Sequence, residues 1–265
     1  MGNAYYTLVT GGSTGFGRSL AMECARRGMN LVLVALPGPE LKETADHISS
    51  GYKVDVRYMD VDLTEPHGPK SVYDWCCQHD LKVNCIINNA GRAGAALFAE
   101  SSPEYSDKRI LVNIRALTMI IRYFIPMLKE FPGAHILNVA SLAAYFPIPY
   151  KSVYSASKAY VLRFSKSVAV ELKPLGIKVS AVCPNGIETN EGTFARIKAH
   201  KQWGKWTKMD SDKLARLSIG KMLDGKKIIV PMFINNLLLA ISKLFPPFFL
   251  MWFLEREFRN EPRSK

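Results

Sequence analysis

A chain of 265 residues, 48% of them hydrophobic, can bury one substantial core, which excludes a disordered or fibrous protein and makes a single α/β domain the starting expectation. Its five cysteines (Cys24, Cys76, Cys77, Cys85, Cys183) are odd in number and lack CxxC or Cys/His spacing, which excludes a disulfide scaffold, leaves no metal site to expect and fits reduced thiols in the cytoplasm. The formal charge of +12 is concentrated between Arg196 and Lys227, where ten Lys/Arg stand against three acids; this is a solvated surface or one that attracts an anionic partner, and no nucleic-acid recognition motif accompanies it.

In chain order, β-branched apolar runs predict strands at 5–10 (YYTLVT), 30–35 (NLVLVA), 53–59 (KVDVRYM), 83–88 (VNCIIN), 134–140 (AHILNVA), 177–183 (IKVSAVC) and 227–231. Helical periodicity marks 17–27, 40–49, 68–79, 103–129 and 153–174. The first strand begins at Tyr5, which leaves no room for an export leader, and MGNAYY lacks the Ser/Thr of a myristoylation signal. Strands that are continuously apolar belong in a parallel sheet covered by helices on both faces. The alternation predicts a Rossmann-like, doubly wound α/β fold of about seven strands. The strand–helix rhythm makes residues 1–190 the expected core, with 191–265 expected to add the last strand and an apolar extension to the same domain.

TGGSTGFG (10–17) follows the first strand and opens a helix. A helix N-terminus offers unpaired N–H groups to phosphate where the backbone can approach, and Gly11, Gly15 and Gly17 permit that approach. The spacing is G-x-x-x-G-x-G rather than G-x-G-x-x-G, and on its own such a turn is also an ordinary tight βα connection.

SVYSASKAY (152–160) places Tyr154 and Lys158 one helical turn apart on one face. Tyr145, Tyr150 and Tyr160 have Pro149, Tyr154 and Phe164 four residues on, so none of them has a lysine there. Ser141 lies at the C-terminal end of the 134–140 strand, where open parallel sheets place their ligand crevice. A phenol with a pKa near ~10 becomes a usable proton donor when an ammonium stabilises its phenolate.

Together, TGxxxGxG, NNAG at 88–91, Asn113, Ser141 and the YxxxK pair resemble the short-chain dehydrogenase/reductase family, in its order and spacing over roughly residues 5–190. The resemblance implies that Tyr154 is the general acid/base, that Ser141 holds the reacting oxygen, that Lys158 also contacts the nicotinamide ribose, and that Asn113 supports a water relay. It implies cofactor contacts from Gly11, Ser13, Thr14, Gly15, Phe16, Gly17, Asp62, Leu63, Asn89, Ala90, Gly91, Tyr154, Lys158, Pro184, Gly186, Ile187 and Thr189. An acid at the end of the second strand would favour NAD and an arginine NADP. Here stand Ala35, Leu36 and Pro37, so the usual barrier to NADP is absent, Arg18 is a candidate for the 2′-phosphate, and NADP(H) is favoured over NAD(H).

After 190 the chain mixes basic residues with Phe194, Trp203 and Trp206, a composition suited to a lid. From Ile228 to Ser242, and again from Leu244 to Leu254, no residue is charged, but each run is shorter than the ~20 residues that span a bilayer. Three readings stand for this tail: packing on its own domain or on a second subunit of a homo-oligomer, a wall of a long substrate pocket, or an element lying at a membrane interface on the cytoplasmic side. The expected activity is interconversion of a ketone and a secondary alcohol on a hydrophobic, lipid-like substrate, of the 3-ketoacyl, long-chain-base or steroid type. The alternatives are a reductase of small polar ketones or sugars and a cofactor-binding regulatory protein without turnover.

Overall fold

The computed structural model describes residues 5–185, 187–188, 209–242 and 244–259. Seven parallel strands form one sheet, β1 (Tyr6–Thr10), β2 (Asn30–Ala35), β3 (Val56–Asp60), β4 (Val83–Asn88), β5 (His135–Val139), β6 (Lys178–Val182) and, at the edge, β9 (Ile228–Ile229), in the order β3-β2-β1-β4-β5-β6-β9. A two-stranded parallel pair, β7 (Ile187–Glu188) with β8 (Met209–Asp210), stands apart from it. The strand order reverses between β1 and β4, and the carboxyl ends of the strands on either side of such a reversal are where doubly wound sheets hold their ligands.

The helices are α1 (Gly15–Arg26), α2 (Pro39–Gly51), α3 (Gly68–Gln78), α4 (Pro103–Ile110), α5 (Leu117–Leu128), α6 (Ser152–Glu171), α7 (Ser211–Leu223), α8 (Phe233–Ser242) and α9 (Pro247–Phe258). Burial of successive strand residues on opposite faces splits the core in two. On one face Leu8, Ile86 and Ile136 pack with Ile120, Phe124 and Val161 of α5 and α6. On the other, Val9, Ile87 and Leu137 pack with Leu20, Leu41 and Ile219 of α1, α2 and α7. Pro103–Leu128 is long and apolar enough to cross a membrane by composition, but Ile120, Ile121, Phe124 and Leu128 are fully or almost fully buried against the sheet, so it is a core helix.

The sequence expectations differ from the structure in particular places. The 103–129 helix is not uniform, because Leu111–Ala116 is π-helical. The third strand starts at Val56 rather than at 53, since the Asp55 N–H goes to Asn30 Oδ1 and the Asp55 carboxylate to the Tyr6 hydroxyl, both outside the ladder. The last strand shrinks to Ile228–Ile229 at the sheet edge, just ahead of Pro231. Helix α7 was hidden in a stretch that reads as charge. Leu214, Ala215, Ser218, Ile219 and Met222 nevertheless form its buried stripe, and the Asp210 carboxylate caps it by accepting from the Asp212 and Lys213 N–H groups at 3.1 and 3.0 Å.

Candidate active site

The glycine turn is welded to the neighbouring strand. Asn89 Nδ2 donates to the carbonyls of Thr10 and Gly11, each at 3.1 Å, while Thr10 Oγ1 accepts from the N–H groups of Asn89 and Ala90, each at 3.0 Å. Gly11 (φ +66°) and Gly15 (φ +54°) take left-handed conformations that favour glycine. At Gly17 a Cβ would collide with the Gly11 carbonyl oxygen and stand 2.5 Å from Asn89 Nδ2, so only glycine lets α1 start this close to β4. From the other side Thr44 of α2 donates to the Ser13 carbonyl at 2.8 Å. Thr14 occupies the N-cap of α1 without a side-chain cap bond, and the first turn carries no acid. Its N–H groups are thus left to a phosphate.

At the carboxyl ends of the strands, Ser141 follows β5 after Ala140 and caps a short 3-10 turn, Leu142–Tyr145, by accepting from the Ala143 N–H at 3.1 Å. Its hydroxyl points towards the Pro184 carbonyl at a loose 3.5 Å. Tyr154 sits in the first turn of α6, and the Lys158 ammonium lies 6.0 Å from the centre of its ring. Lys158 is buried and donates to the Val139 carbonyl at 2.7 Å, which pins it to the end of β5. Burial pushes its pKa down from 10.5 to about 8, a shift that the nearby Cys183 thiol opposes. The lysine therefore remains largely cationic at neutral pH. Desolvation raises the Cys183 thiol to about 11 and also raises the pKa of the adjacent Tyr145 phenol, so both are neutral in the physiological range.

Asn113 falls in the π-helical turn, which holds its side chain in the buried interior. Oδ1 accepts from the Arg92 N–H at 2.8 Å, and Nδ2 donates to the Arg92 carbonyl at 3.1 Å and to Ser157 Oγ at 2.9 Å. Ser157 in turn donates to the Tyr154 carbonyl at 2.7 Å, so Asn113 is linked through two hydrogen bonds to the backbone of Tyr154. A Cβ at Gly91 would lie 3.0 Å from Asn113 Oδ1 and 3.5 Å from Lys158 Nζ, which brings the NNAG loop, the asparagine and the lysine together on one patch.

Of the other residues read from the sequence, Asp62 accepts from Thr64 N–H and Oγ1 at 2.8 and 2.7 Å, and Leu63 and Phe16 have their side chains in the core, so only their backbones can meet a ligand. The Pro184 carbonyl accepts from the Leu142 N–H at 2.8 Å, beside Ser141. Gly186, Thr189, Phe194, Trp203 and Trp206 lie outside the described residues, as does the side chain of Ile187. Leu36, after Ala35 at the end of β2, and Arg18 of α1 are exposed. Thr10, Ser157 and the Val139 carbonyl were not singled out from the sequence. Thr10 begins the glycine motif, which was a usable signal; Ser157 reads as a mere spacer, and a backbone carbonyl leaves no mark in a sequence.

A nicotinamide dinucleotide fits these residues, with a turn that excludes side chains next to an uncapped helix start, and a glycine at the lysine end of the crevice. The comparisons agree. A family model described as short chain dehydrogenase matches residues 6–198. The very-long-chain 3-oxoacyl-CoA reductase of Bos taurus is 30% identical over 227 residues, 81% of this chain and 68% of that protein. Among solved structures, a short-chain dehydrogenase from Sphingobium yanoikuyae in complex with NADPH superposes with a TM-score of 0.77 at 28% identity, over 91% of this chain and 93% of that one. A 3-ketoacyl-(acyl-carrier-protein) reductase from Brucella melitensis complexed with NADH gives 0.76 at 26% identity, over 86% and 96%.

Proposed function

The chain belongs to the short-chain dehydrogenase family, and from that premise we propose that it reduces a ketone on a hydrophobic, lipid-like substrate, with NADPH preferred and Tyr154 as the proton donor. It is an oxidoreductase of the nicotinamide-dependent class that acts on CH–OH groups. The observation that carries the mechanistic reading is the Lys158 ammonium, buried, tied to Val139 and 6.0 Å from the Tyr154 ring.

The bound cofactor supplies hydride to the carbonyl carbon. Tyr154 gives its hydroxyl proton to the carbonyl oxygen, and in the reverse direction removes the alcohol proton. Lys158 lowers the energy of the phenolate left behind, because its positive charge acts in a region with little water. Ser141, with only a loose donor contact of its own, turns its hydroxyl to the substrate oxygen and orients it. Asn113 holds Arg92 and, through Ser157, the first turn of α6, so it fixes the position of Tyr154; a water held beside the widened turn would extend the path from Lys158 to solvent. Gly11, Ser13, Thr14, Gly15, Phe16, Gly17, Asp62, Leu63, Asn89, Ala90 and Gly91 would hold the dinucleotide end, and Pro184, Gly186, Ile187 and Thr189 the nicotinamide.

Two features support the finer reading. The small cleft beside Tyr154 is lined by Phe98, Tyr105, Tyr150 and Val153 together with the polar Ser101, Lys151 and Ser152, and the apolar helix α9 reaches it through Glu255, which accepts from the Tyr150 hydroxyl at 3.0 Å. At the end of β2, Ala35 leaves no carboxylate to repel a 2′-phosphate. The test is NADPH and NADH oxidation against a series of 3-keto substrates of rising chain length. Rates that climb with chain length and favour NADPH support the reading. A preference for short polar ketones or sugars would overturn the substrate class, and a preference for NADH the cofactor.

A further inference from the structure

Helix α8 is built inside out. Its Asn235 is buried and donates to the Pro231 carbonyl at 2.8 Å, while Phe233, Leu237 and Ile241, spaced one turn apart, face outward, Phe233 with 82% of its surface exposed. Helix α9 continues the pattern. Phe248, Phe249, Met251, Trp252 and Phe253 are exposed, Phe248 by 76% and Trp252 by 55%, and among its described side chains only Leu254 is buried. With each residue turned ~100°, those five occupy roughly 200° of the helix circumference. Leu244, in the turn between the helices, is 82% exposed. Contiguous apolar surface of this kind marks an interaction site.

The charge around it is net positive. From Asp224 to Arg259 the sequence has Lys226, Lys227, Lys243, Arg256 and Arg259 against Asp224, Glu255 and Glu257, and the apolar run between Gly225 and Leu254 contains lysines and no acid. Lys221 and Lys226 line a cleft of about 660 Å³ whose far wall is α8, through Asn236, Leu239 and Ala240. At the polar end of α9, Arg256 lies 5.8 Å from the Trp252 ring. Aromatic side chains backed by cations suit the boundary between headgroups and acyl chains. The helices have 10 and 12 residues, hence lengths of about 15 and 18 Å, too short for a hydrocarbon core of ~30 Å.

We propose that α8 and α9 form a monotopic anchor that docks on an anionic lipid surface and brings the mouth of the active site to it. A second copy of the chain could cover one side of α9, but acyl chains close around a convex arc as wide as this one. The coupling to the site is direct. Tyr150 stands four residues before Tyr154 in a left-handed conformation (φ +65°), its carbonyl accepts from the Ala96 N–H at 2.7 Å, and its hydroxyl is held by Glu255 of α9, while the Lys151 ammonium lies 4.8 Å from the Phe258 ring.

The experiment is flotation of the full chain with vesicles, without cofactor or substrate, so that its outcome is separate from that of the reductase reading. Binding to phosphatidylcholine vesicles containing phosphatidylglycerol, reduced about tenfold or more in a Phe248→Ser/Trp252→Ser variant of unchanged melting temperature, is the expected result. Lys226→Glu/Lys227→Glu should weaken binding to the anionic vesicles alone. Absence of wild-type binding, equal binding to neutral and anionic vesicles, or a lipid-free dimer that the serine variant dissociates while no vesicle binds, would each overturn the proposal.

Discussion

Replacing Lys158 with Met tests the electrostatics of the site in the protein without ligand. The ammonium is buried, its hydrogen bond to the Val139 carbonyl is the one that holds it to the sheet, and burial lowers its pKa from 10.5 to about 8. Between those two values the unfolded chain binds more protons than the folded one, so the stability of the wild type rises with pH across that window and is lowest below it. With each pH unit between the two values worth about 1.4 kcal/mol, the charged lysine costs about 3 kcal/mol at pH 7, of which about 2.5 kcal/mol is regained by pH 10. Met keeps an unbranched stem of similar volume, removes the charge and leaves the Val139 carbonyl without its donor, at about 1 kcal/mol. The variant should therefore be about 2 kcal/mol more stable than the wild type at pH 7 and no more stable than it at pH 10. Urea unfolding of both proteins at the two pH values reads this out. The buried thiols of Cys24 and Cys85, on which Lys158 has no influence, titrate alike in both proteins and cancel in the difference. A stability difference that stays the same at both pH values would refute the reasoning, because the lysine would then not be titrating in that window.

Other outcomes follow from the same geometry. Gly17→Ala forces a methyl into the Gly11 carbonyl and Asn89, so it should cost on the order of 2 kcal/mol and weaken NADPH binding, measured by fluorescence, by tenfold or more. Thr10→Val leaves the N–H groups of Asn89 and Ala90 without their acceptor; a loss of about 2 kcal/mol in urea is expected, with a raised KM for the cofactor. Asn113→Leu breaks three hydrogen bonds to Arg92 and Ser157, and should lower kcat more than it raises KM, because it displaces the first turn of α6 rather than the cofactor turn.

The sheet and most of its helices were legible because each leaves a periodic signal, a continuous apolar strand such as Leu31–Val34 or an apolar helical face. The Tyr154–Lys158 pair was legible because four residues is one turn in any helix. The π-helical turn at Asn113 was not, since one extra residue per turn barely changes the hydrophobic pattern of 103–129. Helix α7 was lost because its apolar stripe is interleaved with Lys213, Arg216 and Lys221. Small residues proved unequal: Ser155 and Ser157 are buried, Ser157 with hydrogen bonds on both sides, whereas Ala156 between them is exposed. Such differences depend on which way a helix is rotated, and a run of serine and alanine does not encode that.

The claim at the centre of this account is that Tyr154 delivers the proton and that Lys158 makes it able to. Its most direct test is NADPH oxidation by Tyr154→Phe with a ketone that the wild type reduces, alongside NADPH affinity. The account predicts a rate about 10³-fold lower with cofactor affinity little changed, since only the hydroxyl is removed. A variant that turns over near the wild-type rate would contradict it.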